Sequence, residues 1–244
     1  MRFHKTAAVV VAFLFTFLAA ATATAESPII GISELRLGGY YPSIDEEEGL
    51  EGEPFADTFG ESNRLLVSFE MGYHVFQGFG SLGVSGRIGY TNFGGEAIIG
   101  DGSGDGEDDG EEISESTNFQ VWPLSTSLYY RFDVLQKEWN IPLVPVAKGG
   151  LDYVMWRAED PEGETATVNG NNGRGGKFGW HAAGALHLHL DWLEPRASAS
   201  FDDTWGVNNT YAFAEYMWLE ADDFGGQGFD LSDQMWTFGL AFEF

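Results

Sequence analysis

Apolar and polar residues alternate with a period of two along most of the chain, in segments of the roughly 9–11 residues that a tilted membrane strand needs. The last ten residues carry the pattern most cleanly. Trp236, Phe238, Leu240, Phe242 and Phe244 fall on one face, and Thr237, Gly239, Ala241 and Glu243 on the other. Upstream, Leu65, Val67, Phe69, Met71 and Tyr73 oppose Leu66, Ser68, Glu70 and Gly72, and Leu82, Val84, Gly86, Ile88 and Tyr90 oppose Gly83, Ser85, Arg87 and Gly89. The same reading places strands over Ile32 to Tyr41, Phe119 to Phe132, Leu143 to Trp156, Phe178 to Leu190 and Val207 to Leu219. In the segment from Val207, Tyr211 and Phe213 share a face with Glu215, so either face could point inward.

The predicted connections alternate in length. Long ones, after the first, third, fifth and seventh strands, run from Pro42 to Asn63, Asn92 to Asn118, Arg157 to Lys177 and Glu220 to Ser232; the short-turn side, after the second, fourth and sixth, has His74 to Ser81, Asp133 to Pro142 and Asp191 to Gly206. Short turns at one end and long loops at the other define an all-β, transmembrane antiparallel up-and-down β-barrel of eight strands, with both termini on the short-turn side. Ten strands are the alternative, because Leu193 to Trp205, with Pro195 and Ala197-Ser198-Ala199-Ser200, could be an extra strand; a short helix is favoured there. A soluble sandwich shares the period but buries its apolar faces and wets its polar ones. It has no need to gather glycine, serine and charges of both signs on one face, whereas a narrow barrel puts small and ionic residues inside and apolar ones against lipid.

The tail from Trp236 to Phe244, apolar at every second position and ending on phenylalanine, resembles the C-terminal signal by which barrel proteins are read by the outer-membrane assembly machinery; Trp236, Phe238, Leu240, Phe242 and Phe244 would form it. More broadly the chain resembles the small OmpA/OmpX/OmpW class and uncharacterised outer-membrane β-barrel proteins. Leu37-Gly38-Gly39-Tyr40-Tyr41-Pro42 and Ala147-Lys148-Gly149-Gly150-Leu151-Asp152-Tyr153 look like segments recurrent in such families. The resemblance extends over the mature chain in architecture, and no functional residue carries over from it.

Export is read from the N-terminus. Arg2 and Lys5 precede an apolar stretch from Thr6 to Ala20 and a small-residue segment ending in Ala23-Thr24-Ala25, the order of a secretory signal peptide over residues 1–25, with Glu26 opening a single domain, 26–244. The apolar stretch is short for a membrane helix, and no cysteine follows to carry a lipid. With no cysteine at all, an exported domain must be held by its core or by a membrane. The expected location is the cell outer membrane, with outer-membrane lipid, lipopolysaccharide and the assembly machinery as partners; the sequence leaves the oligomeric state open.

The formal net charge is −26, and loss of the leader removes two further positive charges. Such a chain does not bind nucleic acid through its phosphates. By the boundaries above, eight acids fall in the first long loop and nine in the second. The second contains Asp101-Gly102-Ser103-Gly104-Asp105-Gly106 with Glu112 at the twelfth position, the spacing of a calcium loop, but no entering helix, and Asp108 where an apolar residue usually packs. A loose Ca²⁺ site on Asp101, Asp105, Asp109 and Glu112 competes with a plain solvated acidic loop, and no other cofactor is expected.

Parity also gives a lumen network: Glu34, Arg36, Glu70, Arg87, Arg131, Lys148, Asp152, His187, His189 and Glu243, with His181 on the same face as the other two histidines of its strand. Ions of both signs in a narrow interior must pair. Three histidines on one face could bind metal only with a further ligand from an adjacent strand. The reading is a non-enzymatic barrel with a structural or surface-interaction role exercised by acidic loops. The alternatives are a narrow channel or carrier for small apolar solutes and a lipid-modifying barrel enzyme, for which no Ser/His/acid set can be placed near the rim.

Overall fold

The computed structural model describes residues 29–47, 50, 52–98, 114–168, 171–191, 206–226 and 228–244. The predicted leader (1–25), the calcium-like run with Asp101, Asp105, Asp109 and Glu112, and the whole segment from Leu193 to Trp205 lie outside them.

Eight strands form one closed antiparallel sheet: β1 (Gly31–Tyr40), β2 (Arg64–Gly78), β3 (Gly80–Ile98), β4 (Ser114–Arg131), β5 (Leu143–Glu159), β6 (Arg174–His189), β7 (Asn209–Glu220) and β8 (Asp233–Glu243). Each pairs with its neighbours in sequence, and β1 pairs with β8 from Ile32↔Glu243 to Gly38↔Thr237. Following the register from Gly31 through Tyr73, Val84, Leu128, Gly149, Ala182, Trp218 and Gln234 returns to β1 level with Tyr41, ten residues on. That stagger in an eight-stranded barrel corresponds to a strand tilt of roughly 40° and a radius of about 8 Å. A tube so narrow has room for side chains and little else.

Alternation sorts the faces as the period predicts. Leu65, Val67, Met71, Tyr73, Val84, Ile88, Trp236, Phe238 and Leu240 point outward and are exposed, while Ser68, Glu70, Ser85, Arg87, Thr237 and Glu243 are buried inside. An apolar outer belt around an ionic interior inverts a soluble core and defines a transmembrane β-barrel. Among the described residues no helix is long and apolar enough to cross a membrane.

The structure corrects several boundaries. β3 runs on to Ile98 and β4 starts at Ser114, so the second loop is shorter than Asn92 to Asn118. β5 runs on to Glu159 and β6 starts earlier, at Arg174, and Thr167–Val168 and Asn171–Asn172 form a small ribbon between them. The turn predicted over His74 to Ser81 shrinks to Phe79, because β2 continues to Gly78. The connection over Asp133 to Pro142 holds the short helix α2 (Val134–Trp139), ended by Asn140 at φ 53°. These strand ends alternate weakly or are rich in glycine and acid, so the ladder is extended by backbone pairing beyond the apolar pattern.

β7 settles the open register: Tyr211, Phe213, Glu215, Met217 and Leu219 point inward, leaving Ala212 and Ala214 outside. Glu215 is drawn in because cations on β1 and β5 await it. The rings follow by parity.

Candidate functional site

The interior is layered along the axis. At mid-height Arg36 donates hydrogen bonds to Glu34 and Glu70 and reaches Glu215 at 3.3 Å, while its guanidinium lies 5.4 Å from the Phe213 ring. Lys148 donates to Glu34 at 2.7 Å and to Glu70 at 3.2 Å and lies 3.5 Å from Glu215. Three carboxylates are thus shared by two cations drawn from β1, β2, β5 and β7. Ser85 adds a hydrogen bond to Glu70 at 2.7 Å. In this layer Arg36 is 1 % and Glu215 0 % exposed.

Toward the short turns a second layer joins Arg131, His74, His187, Tyr129, Tyr211 and Glu243. Arg131 donates to Nδ1 of His187 at 3.1 Å and sits 4.9 Å from the Tyr211 ring, but its nearest carboxylate, on Glu243, is 3.8 Å away. Since arginine only donates, His187 is an acceptor at Nδ1 and therefore neutral. His189, expected in the network, lies at the rim instead, bonded to Asn209 at 3.1 Å and 3.2 Å from Asp191, because the barrel wall ends there. No group of three or more metal-ligating side chains exists among the described residues. The three histidines of β6 each have a different neighbourhood.

Above the central layer, Arg87 and Ser125 reach Asp152, Asp152 accepts from Nδ1 of His181 at 2.6 Å, and Nε2 of His181 lies 3.0 Å from the Ser127 hydroxyl. Gly150 makes this possible: a Cβ there would overlap the Thr126 carbonyl and come within 2.9 Å of the His181 ring. This Ser–His–Asp chain, which parity alone does not reveal because the serine belongs to a different strand, has the order of a hydrolase triad. Two features set it apart from one. Ser127 is 5 % exposed, and its backbone is paired on both sides, with Ser85 and Gly150, which leaves no free N–H pair to hold an oxyanion.

The outer mouth is closed by loops. The helix α1 (Pro54–Phe59) drops Phe55 into a ring cluster with Tyr41, Phe59, Phe93 and Phe119 at centroid distances of 4.8–5.6 Å. Asp45 holds the start of α1 by accepting from the N–H groups of Phe55 and Ala56, both at 2.8 Å. Gly95 lets the helix lie against β3, since a Cβ there would overlap the Thr58 carbonyl. The first and fourth loops are tied together by Tyr40 Oη to the Leu231 carbonyl at 2.8 Å, Ser43 N–H to the Ser232 carbonyl at 3.1 Å and Gly228 N–H to Glu47 at 3.1 Å. Between this plug and the ionic layer, a space of about 10 Å³ lined by Arg36, Leu66, Arg87, Pro123 and Met217 is room for one water. Among the described residues, the inward side chains are buried through successive layers along the axis.

No protein-family model matches the chain, and no curated protein matches it. Among solved structures it is similar to the outer membrane protein OprG from Pseudomonas aeruginosa (8% identity, TM-score 0.49, covering 90% of this chain and 98% of that one). It is also similar to Neisserial surface protein A (11% identity, TM-score 0.46, 91% and 100%) and to Ail, the attachment invasion locus protein of Yersinia pestis (12% identity, TM-score 0.38, 88% and 95%). At such identities nothing passes from them to individual residues. The class assignment, an eight-stranded transmembrane β-barrel, rests on this chain's own strand order and faces.

Proposed function

We propose that this chain is a rigid, plugged barrel of the cell outer membrane, exported by a cleaved leader, whose work is done by its acidic outer loops rather than by transport or chemistry. The observation that carries the reading is the filled axis: ionic layers from wall to wall below, and an aromatic plug above. The Ser–His–Asp chain supports the non-enzymatic reading through its burial. Refolded protein in a planar bilayer is expected to show no stable open-channel current; a reproducible conductance would replace this reading with the channel. A carrier of small apolar solutes is favoured by one feature, the ring-lined mouth that Phe55 and Phe59 now fill, and would show as ligand-dependent exposure of α1 to protease.

The C-terminal strand supports recognition by the assembly machinery and also closes the barrel. Ile30 and Gly31 donate N–H groups to the Phe244 carbonyl at 2.7 and 2.9 Å, and Phe244 donates to Gly31 at 3.0 Å. Deleting Phe244, or introducing Phe242→Asp, is expected to leave secretion intact and lower the folded, heat-modifiable form in the outer membrane. Normal accumulation of either variant would remove the signal role.

A further inference from the structure

One cross-strand row on the outer wall departs from the apolar pattern. The outward positions Tyr90 and Trp122, 5.7 Å apart, continue around the wall as Met155 and Gly176. The next row toward the long loops is polar, with Asn92, Gln120, Arg157 and Arg174 as successive register partners. Arg157 and Arg174 are the two cations that the described barrel strands turn outward. Arg36, Arg87, Arg131 and Lys148 are buried in the lumen, and Arg64 and Lys177 occupy inward positions.

Two guanidinium groups directly opposite one another on one sheet face repel. In a chain of 38 acids and 12 bases such a pairing is the least expected one. One neighbour answers one of the two charges, and the other stays uncompensated among the described residues. Arg157 has one arm 3.3 Å from Glu159 and the other on the Gly163 carbonyl at 3.4 Å, and its Nε is buried without a partner. Arg174 is exposed and makes no hydrogen bond or ion pair among the described residues. Just below, the Tyr153 ring leans over Gly176, which has no side chain to stop it, and brings its hydroxyl up toward the pair. Arg157 lies four residues above Tyr153, about 13 Å along the strand and roughly 10 Å along the membrane normal at this tilt. That is headgroup height above an aromatic girdle.

We propose that Arg157 and Arg174, with the Tyr153 hydroxyl beneath them, form a binding site for the phosphate group of an outer-leaflet lipid. A phosphate between two guanidinium forks accepts several charge-assisted hydrogen bonds and turns the repulsion into attraction, and the planar fork suits it better than an ammonium would. The acyl chains would run down the outward face past Tyr153, Phe178 and Leu151. Glu159 keeps the arm of Arg157 that it already pairs with.

The inference rests on the outer-membrane reading above, and its test separates the two. Refolded protein in an uncharged detergent is mixed with bis-phosphorylated lipid A or with its dephosphorylated form, and retained lipid is measured by native mass spectrometry. The wild type is expected to retain the phosphorylated lipid, and R157Q/R174Q to lose it by about ten-fold or more, as removal of both charge-assisted partners requires. K137Q, on the opposite rim, is expected to bind as the wild type does. Heat-modifiable migration establishes that the double variant is folded. Equal retention by the folded double variant, or equal retention of the dephosphorylated lipid, overturns the site. Affinity for inorganic phosphate equal to that for the phosphorylated lipid also overturns it, in favour of a free-anion site. Failure of the wild type to insert into lipid vesicles overturns the membrane reading instead.

Discussion

Arg36 and Tyr40 stand two inward positions apart on β1, and different physics holds each. Arg36 is fixed by carboxylates carried on strands, every one of them positioned by the backbone ladder. Tyr40 is fixed by the fourth loop, through the Leu231 carbonyl, and by the Phe93 ring, onto which the first loop folds Phe55. The lower interior is therefore inseparable from the barrel. The plug is a separate layer, expected to come loose while the wall stays closed.

The sharpest way to break this contrast is Arg36→Met. It leaves Glu34, Glu70 and Glu215 sharing Lys148 alone in a region of low dielectric, and breaking a buried ion network from one side costs about 3–5 kcal/mol. The urea midpoint of the detergent-folded barrel should fall accordingly, and adding Glu215→Gln should restore part of the loss. A midpoint within about 1 kcal/mol of wild type would show that water reaches this layer and relieves the charges.

A smaller, confined effect is expected at the plug. Phe55→Ala removes the ring shared by Tyr41, Phe93 and Phe119, and Gly95→Ala pushes the Thr58 carbonyl off β3. Loss of one buried ring is worth about 3 kcal/mol at most in a loop free to relax. Either variant should accelerate cleavage by a glutamate-specific protease within residues 46–61 and leave the barrel's urea midpoint in place. A midpoint that fell with the loop would mean that plug and wall unfold as one unit.

The smallest effect concerns the fourth loop. The Phe178 N–H at 2.8 Å and the Lys177 ammonium at 3.0 Å hold the Asp223 carboxyl below its ordinary range. A carboxyl depressed in the folded state contributes stability above its unfolded pKa, and this is lost as pH falls through the folded value. The turn over residues 221–226 should thus be protected at neutral pH and loosen only in acid below the usual carboxylate range. Amide exchange at Phe178 across pH checks this, and Asp223→Asn should abolish the dependence.

What could be read in advance divides along the same line. Period two exposed the wall, the inward ions Glu34, Arg36, Glu70 and Lys148, and the strand count, because alternation is imposed by the pleat and needs no tertiary knowledge. It was ambiguous for β7, where Glu215 and two rings share a face and the deciding partners lie on β1 and β5. The plug was illegible. Phe55 and Phe59 sit in an acidic stretch with no repeat, and what seats them is a remote carboxylate, Asp45, and a glycine on β3. The Ser127–His181–Asp152 chain was hidden for a related reason: each residue is an ordinary inward position, and their meeting depends on the registers of β4, β5 and β6 together.

The pairing of β1 with β8 gives the chain's order of synthesis a physical meaning. Until the final residues are available, the sheet has two unsatisfied edges, and each is a template for pairing with another molecule. Closure joins β1 to β8, the two strands farthest apart in sequence, the costliest contact in loop entropy and the slowest to find. A barrel of this kind gains no gradual protection as it lengthens; it passes from open sheet to edgeless ring in one late event, and any factor that holds the last strand governs its exposure to aggregation until then.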